Sequence, residues 1–220
     1  MKKTHKALLL TMCAILLVVA SVLGTIAYLT AEESVQNTFT VGSVELKLDE
    51  AKVDEMGEPE EGAARVKANE YHLLPGHTYV KDPTVTVVKG SDEAYVRMLV
   101  QVDGYANLVT AFPAKEYWYN EQVGGMFLLE KLCAGWDSNV WEMTSFANGV
   151  YEFRYYQTVN AIDATEDIVL DALFDTITVP GSVVNDELAA LKDVKINVTA
   201  QAIQADGFDT ADEAWDAFEN

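Results

Sequence analysis

Cysteine is nearly missing from this chain, with two in 220 residues, Cys13 and Cys133. Cys13 lies inside an apolar N-terminal run and follows Met12, where a lipid-attachment site requires a small residue, so lipidation is not expected. Cys133 then stands alone. A single thiol makes neither an internal disulfide nor a metal cluster, so stability must come from a buried core, with Cys133 as part of it. Histidine is almost as scarce, with three residues. His72 and His77 are separated by Leu73-Leu74-Pro75-Gly76, and Pro-Gly breaks the helical turn that would align two zinc ligands. Neither H-E-x-x-H nor G-x-S-x-G occurs. With no catalytic signature in view, no enzymatic activity, catalytic residue, metal or cofactor is expected.

Basic residues are the third shortage, with 15 Lys and Arg against 35 Asp and Glu. Lys2, Lys3 and Lys6 belong to the first six residues; without them 12 basic residues face 35 acidic ones, a net charge of −23. Such a surface is repelled by nucleic-acid phosphates and anionic head groups, so no nucleic-acid partner is expected. The plain account of the acidity is solubility outside the cell.

What the chain does have begins with an export segment. The basic tip MKKTHK leads into ALLLTMCAILLVVASVLG and then small residues, the layout of a secretory signal over residues 1–27. Cleavage is expected between Ala27 and Tyr28, with Ala31 as a second site. The apolar run is also long enough to cross a bilayer, and an uncleaved anchor is the alternative. Membrane contact is expected only through this segment.

Residues 28–220 read as one domain with a period of two. In NTFTVGSVELKL, residues 37–48, Phe39 and Val41 share one face, while Val44, Leu46 and Leu48 are out of phase by one residue. A β-bulge at Gly42-Ser43 would return both sets to one core. DEAKVDEMGEPEEG, residues 49–62, is dense in acids, Gly and Pro and reads as a solvated loop. TVTVV (84–88) and YVRMLVQV (95–102) flank a Gly-Ser-Asp turn and read as two strands joined by a hairpin or by a close sheet-to-sheet crossing. Residues 103–147 are less regular, with a short helix expected from Gln122 to Ala134 and with Trp136 and Trp141 over a sheet edge. VYEFRYYQTV (150–159), ALFDTITV (172–179) and VKINVTAQAIQA (194–205) read as strands. Asn185 or Asp186 caps a short helix through 187–191. In the C-terminal DGFDTADEAWDAF, Thr210 and Glu213 have capping-box spacing, and Ala214, Trp215 and Phe218 give the helix one apolar face. The same stretch fails as a calcium loop, because Ala202 and Gln204 occupy the positions that need carboxylates. About seven strands, two or three short helices and no βαβ rhythm predict a mainly all-β antiparallel sandwich.

GTIAYLTAEESVQNTFTVGSVELKL, LLPGHTYVKDPTVTVVKGSDEAYVRMLVQV, LFDTITVP and VTAQAIQADGF together resemble the TasA/camelysin family of exported proteins from Gram-positive bacteria. The likeness covers the start, middle and end of the chain, but not 103–147. It implies a jelly-roll-like β-sandwich exported through a SipW-type signal peptidase and secreted to the extracellular matrix or cell surface. It also implies a biofilm-matrix fibre subunit or fibre-associated protein that self-associates or joins related matrix subunits by donor-strand exchange. Carried onto this chain, the donor is residues 28–48, with Phe39, Val41, Val44, Leu46 and Leu48 as the inserted side chains. The family also includes camelysin metalloproteases, but no zinc motif here carries that activity over. A surface metalloprotease and a monomeric surface or adhesive module are the competing expectations.

Overall fold

The structure is a computed structural model that describes residues 43–111, 132–183, 185–191 and 194–219, together with Met12. All of these except Met12 belong to one compact unit, Gly42–Asn220. The rest of the expected export segment, Ala27, Tyr28, Phe39, Val41 and the Gly42 bulge position lie outside the described residues. Among the described residues no helix is long and apolar enough to cross a membrane.

Ten strands and three short helices are described. The strands are β1 (Leu46–Asp49), β2 (Thr78–Val80), β3 (Thr84–Val87), β4 (Ala94–Asp103), β5 (Cys133–Ala134), β6 (Trp141–Ala147), β7 (Val150–Tyr155), β8 (Ile168–Val169), β9 (Thr176–Thr178) and β10 (Lys195–Gln204). The helices are α1 (Tyr105–Ala111), α2 (Asn185–Ala190) and α3 (Ala211–Glu219). Every pairing is antiparallel, in three sheets ordered β10-β4-β7-β6, β1-β3-β8 and β2-β9-β5. The fold is therefore mainly β and sandwich-like, as the period-two pattern predicts.

One core joins the sheets. Val96, Met98, Val100 and Val102 of β4 point inward beside Val85 and Val87 of β3, Tyr151 and Phe153 of β7, and Tyr79 of β2. β10 is in register with β4 along its whole length, from Lys195 opposite Asp103 to Gln204 opposite Ala94. Its Ile196, Val198, Ala200 and Ala202 pack on the same core. The outer face of this sheet is covered by α3, which buries Ala214 and Trp215. Thr210 Oγ1 accepts from the Glu213 amide at 3.3 Å, and Glu213 Oε2 accepts from the Asp209 amide at 3.1 Å, so the capping residues hold the helix start as their spacing implies.

Several expectations need correction. Residues 49–62 are not a purely solvated loop, because Val53 is 1% exposed and Glu50 5%. Backbone bridges Glu50–Val66 and Val53–Pro59 fold this segment back on itself, and bonds from the Ala51 amide to Asp82 Oδ1 and from the Val80 amide to the Gly57 carbonyl tie it to the residues around β2 and β3. Of the helix expected over 122–134, Leu132 is helical but Cys133 and Ala134 form β5, opposite Ile177 and Thr176; 122–131 lie outside the described residues. Trp141 does not lie over a sheet edge. It opens the edge strand β6 with its ring fully buried, and its Nε1 donates to the Asp171 carbonyl at 3.0 Å. The hairpin joining β6 to β7 turns at Asn148-Gly149, with φ of 53° and 81°, the conformation that Asn-Gly tolerates best. The strand expected over 172–179 is confined to Thr176–Thr178.

Candidate functional site

The described part of the proposed donor segment is β1 with the residues just before it. β1 runs along one edge of its sheet, with Leu46 opposite Val87 and Leu48 opposite Val85. Alternation puts Val44, Leu46 and Leu48 on one face, half-buried, with Leu46 and Leu48 against the core. Glu45 and Lys47 project to solvent. This strand is thus folded into its own sandwich.

Side chains from distant parts of the chain fasten both ends. At the start, the Ser43 amide donates to Asp92 Oδ2 at 2.7 Å and the Glu45 amide to Ser91 Oγ at 3.1 Å. Halfway along, Lys47 Nζ donates to Asp167 Oδ2 at 2.7 Å. That hydrogen bond holds the Asp167 carboxyl below its ordinary range and raises the Lys47 ammonium. At the end, the Arg65 guanidinium binds the Asp49 carboxylate while reaching Asp82 Oδ2 at 2.8 Å and Thr84 Oγ1 at 2.9 Å. It therefore clips β1 to the residues that begin β3. Burial works against this guanidinium's charge, yet Asp82 and Asp49 outweigh it and raise its pKa.

The four-stranded sheet offers a second feature. Asn197 of β10 is held to Asp103 by a bond from Nδ2 to Oδ2 at 2.8 Å. β10 is an edge strand, with β4 on one side and no strand paired on the other among the described residues. On the face under α3, Arg97 is 3% exposed and donates to Gln201, Glu152 and Glu219. Its guanidinium lies 4.2 Å from the Trp215 ring centroid and 5.4 Å from that of Phe218. Glu152 also accepts from Arg154 at 2.7 Å, and Arg154 binds Asp212. Burial raises the Glu152 carboxyl, but Arg154 and Arg97 overcome it and leave the group below its ordinary value. These ionic groups fasten α3 to the sheet.

The histidines do different things. His77 bonds the Met56 carbonyl at 2.7 Å and packs edge-on against Tyr79, whereas His72 is exposed. Among the described residues no group of three or more His, Cys, Asp or Glu is arranged to hold a metal ion. Cys133 is buried, and burial pushes its thiol up to about 12, above the range where thiolate chemistry runs at neutral pH. An open groove of about 620 Å³ beside the end of β10 is lined by Asp92, Glu93, Tyr95, Thr158, Asn160 and Asp206 among others. Glu93 in that groove is already bonded to Thr158 Oγ1.

Sequence reasoning identified Val44, Leu46 and Leu48 but missed Ser91, Asp92, Arg65 and Asp82, which hold them. The signal available was a lone Arg65 in a stretch otherwise rich in acids. No protein-family model, curated protein or solved structure matches the chain.

Proposed function

We propose that this protein is an exported structural subunit, a biofilm-matrix fibre component or fibre-associated surface protein, whose N-terminal strand adds to the sheet of a sister molecule. The observation that carries the reading is the position of β1: an edge strand that meets the core through alternate side chains and, among the described residues, pairs with one strand, β3. A strand of that format makes the same contacts from its own chain or from another copy, because main-chain bonds supply affinity and alternate side chains supply fit. Full burial of a Val, Leu or Phe contributes roughly 1.5–3 kcal/mol, so five such residues from Phe39 to Leu48 can offset a considerable ordering cost. Head-to-tail addition does not close on itself and so extends as a filament. The resemblance of residues 24–48 to the TasA/camelysin family supports the same reading.

A second reading, a monomeric surface module, is favoured by the seating of β1 in its own sandwich. Negative-stain microscopy and size-exclusion chromatography of chains starting at Tyr28 and at Asp49 separate the two. Fibres are expected only from the longer chain. A synthetic peptide of residues 28–48 is expected to raise the melting temperature of the shorter one by binding in trans. Single particles from the longer chain, or no effect of the peptide, would favour the monomer.

A further inference from the structure

Where β1 ends, the chain places a lysine, a glutamate and an asparagine side by side in the segment that was expected to be solvated. Lys81 is 9% exposed and Glu50 5%. Lys81 Nζ donates to Glu50 Oε2 at 2.6 Å. Asn69 Nδ2 donates to the other oxygen of that carboxylate, Oε1, at 3.0 Å, and to the Ala51 carbonyl at 2.8 Å. Asn69 Oδ1 accepts from the Val53 amide at 3.1 Å. The orientation of this amide is dictated by its partners. Val53 N–H can only donate, and the Glu50 carboxylate and Ala51 carbonyl can only accept. The Tyr71 ring lies 5.9 Å from Nζ, so an aromatic wall flanks the amine.

A buried ion pair is a weak source of stability, since desolvation consumes much of its attraction. The arrangement does have the parts of a condensation. One carboxylate touches both an amine and the nitrogen of a primary amide, while a backbone N–H is aimed at that amide's oxygen. We propose that Lys81 and Asn69 are joined by an amide bond that the protein forms on itself, with Glu50 carrying the protons.

The step balances without an oxidant, reductant or cofactor. Glu50 Oε2 takes a proton from the Lys81 ammonium across their contact, leaving a lone pair on Nζ that attacks Asn69 Cγ. Negative charge then builds on Oδ1, where the Val53 N–H stabilises it. The Cγ–Nδ2 bond breaks as Oε1 delivers a proton to Nδ2. Nζ gives up a second proton through the same carboxylate, nitrogen leaves as ammonium, and Glu50 returns to its starting form. The new Nζ–Cγ bond closes a ring of chain from Asn69 to Lys81, which contains the Pro75-Gly76 turn and both histidines outside the export segment. Holding the reacting groups on one carboxylate replaces the collision that would make the reaction slow in solution.

Mass spectrometry of a tryptic digest of the purified full chain decides the matter. Trypsin cuts after Lys67 and Lys89, and a linked Lys81 resists cleavage. The expected peptide spans Ala68 to Lys89, is lighter than its sequence by one ammonia, and yields fragment ions that place the junction between residues 69 and 81. Lys81→Arg, Asn69→Ala and Glu50→Gln are each expected to restore the full mass over this region. Peptides of full mass cut at Lys81 in the unaltered protein overturn the proposal. So does an ammonia deficit that survives Lys81→Arg, which would place the loss elsewhere. A branched species joining Leu48–Lys52 to Ala68–Lys89, lighter than the two together by one water, would put the bond on Glu50 and overturn Asn69 as the acyl donor.

Discussion

Gly57 and Gly62 are five residues apart, and both sit in left-handed backbone, with φ of 79° and 74°. Their surroundings differ. A Cβ at Gly57 would lie 2.7 Å from the Tyr79 Cα, whereas one at Gly62 would meet nothing within 4 Å. Gly62→Ala should therefore cost only the strain of an L side chain in left-handed backbone, roughly 1–2 kcal/mol. Gly57→Ala adds overpacking against backbone and should cost roughly 3–5 kcal/mol, since strain and overpacking each contribute about 1–3 kcal/mol. Urea melts of both variants check the difference. Tyr79 is the reason the site is sensitive: its hydroxyl donates to the His72 carbonyl at 2.7 Å and accepts from the Leu74 amide at 2.6 Å. At the other face of the molecule, Glu152 supplies a pH-dependent contribution. Its folded-state pKa lies below the ordinary 4.5, so the unfolded chain binds the proton more readily. The stabilisation is present above that value and is lost as pH falls through it toward the folded value. Glu152→Gln removes this contribution. The variant should melt lower than the unaltered protein at neutral pH, and the gap should narrow as the medium is acidified below about pH 4.5.

Among the elements, β1 is held more by side chains than by length, since its ladder is four residues long. Arg65 ties Asp49 to Asp82 and Thr84, and it is partly solvent-exposed, so its removal should cost about 1 kcal/mol or less globally. The local effect should be larger. In Arg65→Ala, amide hydrogen exchange should quicken across β1 while the amides of β4 keep their protection. Equal loss in both strands would mean that β1 does not open separately. The elements also differ in how plainly their sequences announce them. β4 and β10 alternate apolar and other residues over ten positions, and a register slip would turn every apolar side chain outward, so pattern and structure coincide. The half-buried set Val44, Leu46 and Leu48 was readable for the same reason. Val53 was not, because one apolar residue among acids carries no period, and Asn69, which accepts from its amide, is brought there by the fold. β6 was hidden by polar residues on its solvent face, although Asn148-Gly149 marked its hairpin. The fastenings of β1 were scarcely readable: Ser91 and Asp92 at its start, Asp167 at its middle and Arg65 at its end are brought there by the fold, with Arg65 alone offering a hint as a basic residue among acids.

For the whole molecule, the dominant fact beyond the core is charge. The chain carries a formal −20. Two copies meeting for the proposed strand addition would repel each other over a distance set by the ionic strength, about 30 Å at 0.01 M salt and about 8 Å at 0.15 M. Assembly should therefore be slow in dilute buffer and faster as salt rises, by screening alone. Salt also acts on the single molecule, because Lys47–Asp167 and Arg65–Asp49 are solvent-facing pairs that weaken under the same screening and release β1. The two effects push in one direction and are separated by Arg65→Ala. If opening of β1 limits the rate, this variant should form fibres faster than the unaltered chain at low salt and respond less to added salt. If repulsion between copies limits it, both chains should share the same salt dependence. The measurement is light scattering during assembly of chains starting at Tyr28, at several sodium chloride concentrations, with microscopy to confirm fibres. Rates unchanged from low to high salt in both chains would remove electrostatics as the barrier and leave the ordering of residues 28–48 as what limits addition.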